Sequence, residues 1–200
     1  MIKNFFYTLC FLVLFSDCTP SQLIQKLNEN RRTDSNTPVY FNSISSATKA
    51  YVDSTVRRCG IDSTISMYSN DAWFYLKIHD YSKSMSRFNR ILYLDSLNPN
   101  PYWGYGLILF NRCKIDSSLW YLKKAQTCDP ENVRLNLDFA YTEAIKASAE
   151  IDPAVKALEF KRIILEYQNN YQYLDLYPIL RIQFIEILDI VSKLVATRFC

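Results

Sequence analysis

An all-α chain built from stacked helical hairpins is the fold class this sequence predicts, and three observations predict it. Glycine occurs only three times in 200 residues, too few for the tight turns of an all-β chain. From Phe41 onward, apolar residues recur at three- and four-residue steps, the spacing of one helix face. Positions 34 apart also match in type across the middle of the chain: Ala72, Gly106 and Ala140 are small, and Trp73, Leu107 and Tyr141 are large. The bulk numbers set the frame. The chain can bury one substantial core. Its 49% hydrophobic and 22% charged residues are ordinary for a globular protein, and its net charge of +3 is too small to argue for nucleic acid.

The first element is an apolar run from Phe5 to Phe15, broken only by Tyr7 and Thr8 and preceded by Lys3. A positive start and an eleven-residue apolar core suit a signal peptide over residues 1–17 and fall short of the roughly twenty residues of a membrane span. The other reading is a buried N-terminal helix. "LFSDC", Leu14 to Cys18, resembles a bacterial lipoprotein signal, with Asp17 where that family has a small residue. The resemblance implies lipidation of Cys18, which becomes the mature N-terminus. Several acyl chains on one residue give stable anchoring where one would not. It also implies residence in the bacterial cell envelope, in the outer membrane as a lipoprotein; the alternative is a soluble exported periplasmic protein. Residues 18–40 read as a tether or as a loop packed on the domain, ending near Pro38.

The helical domain is expected over residues 41–200. Its first helix, from Phe41, carries Ile44, Ala47, Tyr51 and Thr55, with Val52 and Val56 flanking. Asn42 or Ser43 is expected to cap it and Gly60 to end it. Two complete units follow at 65–98 and 99–132. They match at Tyr68 and Tyr102, Leu76 and Phe110, Ser84 and Ser118, Phe88 and Leu122, Asp95 and Asp129, and Asn98 and Asn132. Within each unit two helices must cross closely, and small residues serve that approach: Ala72 or Gly106 on the first helix, Ser84 or Ser118 on the second. "HDYSKS" (79–84) and "CKIDSS" (113–118) are read as the turns, and Pro130 as the stop after the second unit. A degenerate third unit, 133–168, begins with a helix over 133–149, interrupted by "EIDP". A long apolar helix over 173–199 is read as a cap on the array, or as a surface that docks a partner or a second copy.

A fixed period of 34 with these small and large positions resembles the tetratricopeptide repeat family. The resemblance covers 65–132 in two complete units. It implies a superhelical array whose first helices line a concave protein- or peptide-binding surface. Carried onto this chain, it gives Ser69, Trp73 and Lys77, then Trp103, Leu107 and Asn111, then Leu137, Tyr141 and Ile145, with Phe110 and Arg134 at the edge. Each of Trp73, Leu107 and Tyr141 can equally be a packing residue between units.

No nucleophile, metal or phosphate-binding motif is found, so neither an enzyme nor a cofactor is expected. The single histidine, His79, reads as a surface residue of a turn. Cys59, Cys113 and Cys128 read as buried thiols, and no pairing of these with Cys200 is assigned. The functional expectation is a non-catalytic scaffold that recruits a protein or peptide at the cell envelope through Trp73, Lys77, Trp103, Leu107, Phe110, Asn111, Arg134 and Tyr141. The alternative is an accessory subunit docked through its C-terminal helix; a homo-oligomer is compatible with either.

Overall fold

A computed structural model of the chain describes residues 44–150, together with residues 25, 152, 155, 156, 158, 159 and 161–163. The expected signal, the expected lipidation site Cys18, the expected tether apart from residue 25, and the expected helix over 173–199 lie outside the described residues. Those described are helical, without strands, and packed as helical hairpins: α1 (Ser46–Cys59), α2 (Ile61–Lys77), α3 (Tyr81–Leu94), α4 (Pro99–Asn111), α5 (Ile115–Cys128) and α6 (Val133–Ser148). The chain divides into two compact units, and α1 to α5 belong to one while α6 belongs to the other.

In the first unit, α1 is capped by Ser45, whose hydroxyl accepts from the Thr48 amide, rather than by Asn42 or Ser43. It ends at Gly60, which takes a φ of 82°, a conformation that costs glycine little. The buried stripe of α1 is Val52 and Thr55, and Tyr51 faces solvent. The face is thus shifted from the expected one: Val52, expected at its flank, is buried in place of Tyr51, and Thr55 stays in the core with its hydroxyl satisfied on the Tyr51 carbonyl at 3.0 Å.

The hairpins α2–α3 and α4–α5 repeat one another in backbone detail. Each first helix ends with a left-handed residue, His79 at φ 60° and Cys113 at φ 58°. The bonds that close the turn also recur: Asp80 N–H to Tyr75 O and Lys114 N–H to Leu109 O, both 2.9 Å, with His79 N–H to Leu76 O and Cys113 N–H to Phe110 O beside them. This is the Schellman closure, which satisfies carbonyls that a helix end would otherwise orphan. The turns are therefore residues 78–80 and 112–114. Tyr81–Ser84 and Ile115–Ser118, read from sequence as turn, are the first turns of α3 and α5. Asp80 caps α3 by accepting from the Lys83 amide at 3.1 Å. The Lys83 side-chain bond holds the Asp80 carboxyl below its ordinary range.

Inside each hairpin the small residues meet as the sequence predicts. Ser84 donates to the Ala72 carbonyl at 3.0 Å, and Ser118 to the Gly106 carbonyl at 2.8 Å. A side chain larger than serine would hold the helices apart, and the hydroxyl keeps a buried polar atom satisfied. A Cβ on Gly106 would come within 2.6 Å of Leu122, and one on Gly104 within 2.1 Å of the Phe88 ring. The α4 backbone thus lies against α3 on one side and α5 on the other.

The linker between the hairpins repeats at α6 as well. Asn98 caps α4 and Asn132 caps α6, each accepting a backbone N–H two or three residues on. Pro99 opens α4 where a missing N–H costs nothing. The second helices end at Leu94 and Cys128, just before Asp95 and Asp129.

In the other unit, α6 runs through Ala147, which by spacing corresponds to His79 and Cys113, and stops at Ser148. No left-handed residue closes it, so its turn is not that of the two complete hairpins. Thr142 and Ser148 return their hydroxyls to carbonyls of the same helix, Asp138 O and Ile145 O, each at 2.7 Å. After residues 149–152 the described residues from 155 to 163 are helical. Arg162 there bridges to Glu143 on α6 at 2.8 Å.

Candidate functional site

The residues predicted to line the binding face separate into three groups. The first is a tryptophan pair. Trp73 on α2 and Trp103 on α4 meet edge to face with ring centroids 5.0 Å apart, and both are half-buried. Trp73 also lies against Phe88 of α3 at 5.4 Å. Its indole donates to Asn100 Oδ1 at 3.1 Å. Asn100 is held in turn by Asn98, whose Oδ1 accepts from both the amide and the side chain of Asn100 at 3.1 Å. The α4 cap thereby fixes the orientation of a tryptophan on the first helix of the preceding hairpin. This pair spans the junction between hairpins and keeps an open edge.

Polar residues further along the same two helices form the second group. Lys77 follows Trp73 by one turn and is exposed, while Asn111 ends α4, half-buried, with its Oδ1 in no hydrogen bond. Polar atoms beside half-open aromatics are a common make-up for a surface that anchors a peptide.

Core residues make up the third group. Leu107 is 2% exposed, Phe110 0% and Tyr141 6%, so none of the three offers a surface to a ligand. The physical reason is visible in α4: residues 104–110 are all buried, and no polar face orients the helix. Periodicity therefore cannot separate the lining side from the packing side. Leu137 and Ile145 are buried likewise, whereas Ser69 on α2 is half-buried. Arg134 is half-buried at the start of α6 and, with Tyr141, lies in the other unit.

Several features were invisible in the sequence. A file of rings crosses four helices: Trp73 on α2, Phe88 on α3, Tyr105 on α4 and Tyr121 on α5, with neighbouring centroids 5.4 to 5.8 Å apart. Tyr105 donates its hydroxyl to Asn89 of α3. Burial, with Tyr121 and Tyr102 beside it, pushes its phenol well above the usual range. Cation–ring pairs recur at the period of 34: Arg90 over Tyr68 at 5.3 Å and Lys124 over Tyr102 at 4.4 Å. Matching tyrosines were legible at positions 68 and 102; the cations were not, because arginine and lysine on a helix read as solvent-facing.

His79, expected on the surface, is half-buried, its ring bonded to the Tyr81 hydroxyl at 2.8 Å. Cys59, Cys113 and Cys128 are free thiols; Cys113 is buried as expected, while Cys59 is exposed and Cys128 intermediate. Among the described residues no cluster of three or more His, Cys, Asp or Glu side chains could hold a metal ion, and no helix is long and apolar enough to cross a membrane. Compared with family models, curated proteins and solved structures, the chain matches none.

Proposed function

We propose that this chain is a non-catalytic protein-binding module of the tetratricopeptide repeat kind, tethered to a bacterial envelope membrane through lipid on Cys18. The observation that carries the binding reading is the half-open Trp73–Trp103 pair at the junction of two hairpins that share their turn and crossing. A rigid, repeated frame that leaves large aromatic side chains partly exposed supports the capture of an extended or helical segment at low ordering cost. Lys77, one turn from Trp73, and Asn111, at the end of α4, are the polar contacts proposed along the same two helices. The tether reading rests on "LFSDC" and the apolar run before it.

The binding half is tested by placing a photo-crosslinking phenylalanine analogue at Lys77 or Asn111 in the full chain, expressed in bacteria, with Asp62 as control. Irradiation is expected to give a discrete higher-mass adduct from 77 and 111 and none from 62. Equal labelling from all three positions, or none, contradicts the reading. The tether is tested by metabolic labelling with a radioactive fatty acid: label on the wild type and none on Cys18→Ala is the expected result.

A further inference from the structure

We propose that Arg90, with Tyr68 and Tyr51, forms a niche that binds a carboxylate group. The Arg90 guanidinium of α3 lies 5.3 Å from the Tyr68 ring centroid on α2 and 5.7 Å from that of Tyr51 on α1. Ring contacts of this kind favour a cation but satisfy none of its N–H groups. Arg90 Nε is buried without a hydrogen-bond acceptor, and the Tyr68 hydroxyl is buried without a partner; Tyr68 as a whole is 1% exposed. Two donors around one ring thus lack an acceptor, a costly arrangement inside a protein.

Neighbouring positions show that the deficit is particular to this place. On the same helix, Lys83 pairs with Asp80 at 2.7 Å and Arg87 with Asp71 at 3.1 Å. In the second hairpin the tyrosine corresponding to Tyr68 is Tyr102, and its hydroxyl donates to Ser96 O at 2.7 Å. There the cation is Lys124, whose only charged group is terminal and has no buried N–H at the ε position.

A water molecule could accept from both donors but would leave the charge unanswered. A carboxylate answers both, because its two oxygens suit the planar guanidinium fork and its hydrogen bonds to a cation are the stronger kind. Tyr51, 54% exposed, is the side of the niche that solvent reaches. The niche is separate from the Trp73–Trp103 pair and stands or falls independently of it.

The test uses the full chain with 15N-labelled arginine and follows the Nε–H resonance that disappears in Arg90→Lys. Sodium acetate at constant ionic strength is expected to move this resonance to saturation, and sodium chloride is not. Tyr68→Phe is expected to weaken acetate binding about five-fold, the worth of one hydrogen bond. A blocked peptide, N-acetyl-Ala-Glu-Ala-amide, separates the sources. Saturation by both probes assigns the group to an acidic side chain of a partner protein, and saturation by acetate alone to a free small anion. A shift that never saturates, or that chloride reproduces, overturns the proposal.

Discussion

The hairpins α2–α3 and α4–α5 share turn and crossing geometry, yet one face of their first helices is treated in opposite ways. Met67 and Phe74 on α2 correspond by spacing to Pro101 and Ile108 on α4. The α2 residues are both exposed, Phe74 at 58%, while Pro101 and Ile108 are buried. Gly104 explains the difference. It lies on that face of α4 against the Phe88 ring, so α3 of the preceding hairpin covers it. The same face of α2 has only α1 before it. A repeat unit thus fixes backbone and crossing, and its neighbours decide which side chains become core.

Five tests, four of them paired substitutions, sharpen that contrast. The largest effect is expected from Ile108→Ala, about 3 kcal/mol of unfolding free energy lost. Its counterpart Phe74→Ala should cost less than about 0.5 kcal/mol, as exposed sites do; urea denaturation of both checks this. Gly104→Ala should cost about 2 kcal/mol, since the added methyl must push the Phe88 ring aside. The corresponding Asn70→Ala on exposed α2 should be near neutral in the same assay. Ser84→Ala and Ser118→Ala should each lose about 1 kcal/mol, equally, because both delete the same buried hydroxyl-to-carbonyl bond. A marked inequality would break the equivalence of the two crossings.

Tyr102→Phe should lose about 1 kcal/mol with its bond to Ser96, and Tyr68→Phe, which has no such bond, should lose nothing in the absence of a ligand. The smallest effect concerns pH. The Tyr105 phenol is raised in the folded chain by burial, above its ordinary value of 10.0. The unfolded chain therefore releases this proton first. Its contribution is fully present below pH 10.0 and is lost as pH rises towards the folded pKa. Thermal melts from pH 9 upward should show that decline, and Tyr105→Phe should make it shallower.

Much of this architecture was legible at particular residues. Small residues at 72, 84, 106 and 118 announced the crossings, asparagines at 98 and 132 coincide with caps, and Gly60 with the end of α1. The turns were misplaced by a few residues because His79 and Cys113 hold the left-handed positions. Glycine usually marks such sites, and its absence removed the signal. The candidate site was legible in part. Trp73 and Trp103 do meet, but Leu107 and Phe110 sit in a helix apolar on every side, where sequence cannot say which face looks inward. The niche at Arg90 was not legible at all, since it depends on which groups lack partners.

One hairpin unit is used twice in this fold, and its turn tests that most directly. In an NMR spectrum of the labelled full chain, a left-handed residue gives a stronger intraresidue amide-to-α-proton NOE than its helical neighbours. His79 and Cys113 are both expected to show it. Helical intensity at either residue would mean that the two turns differ and would contradict the repeat.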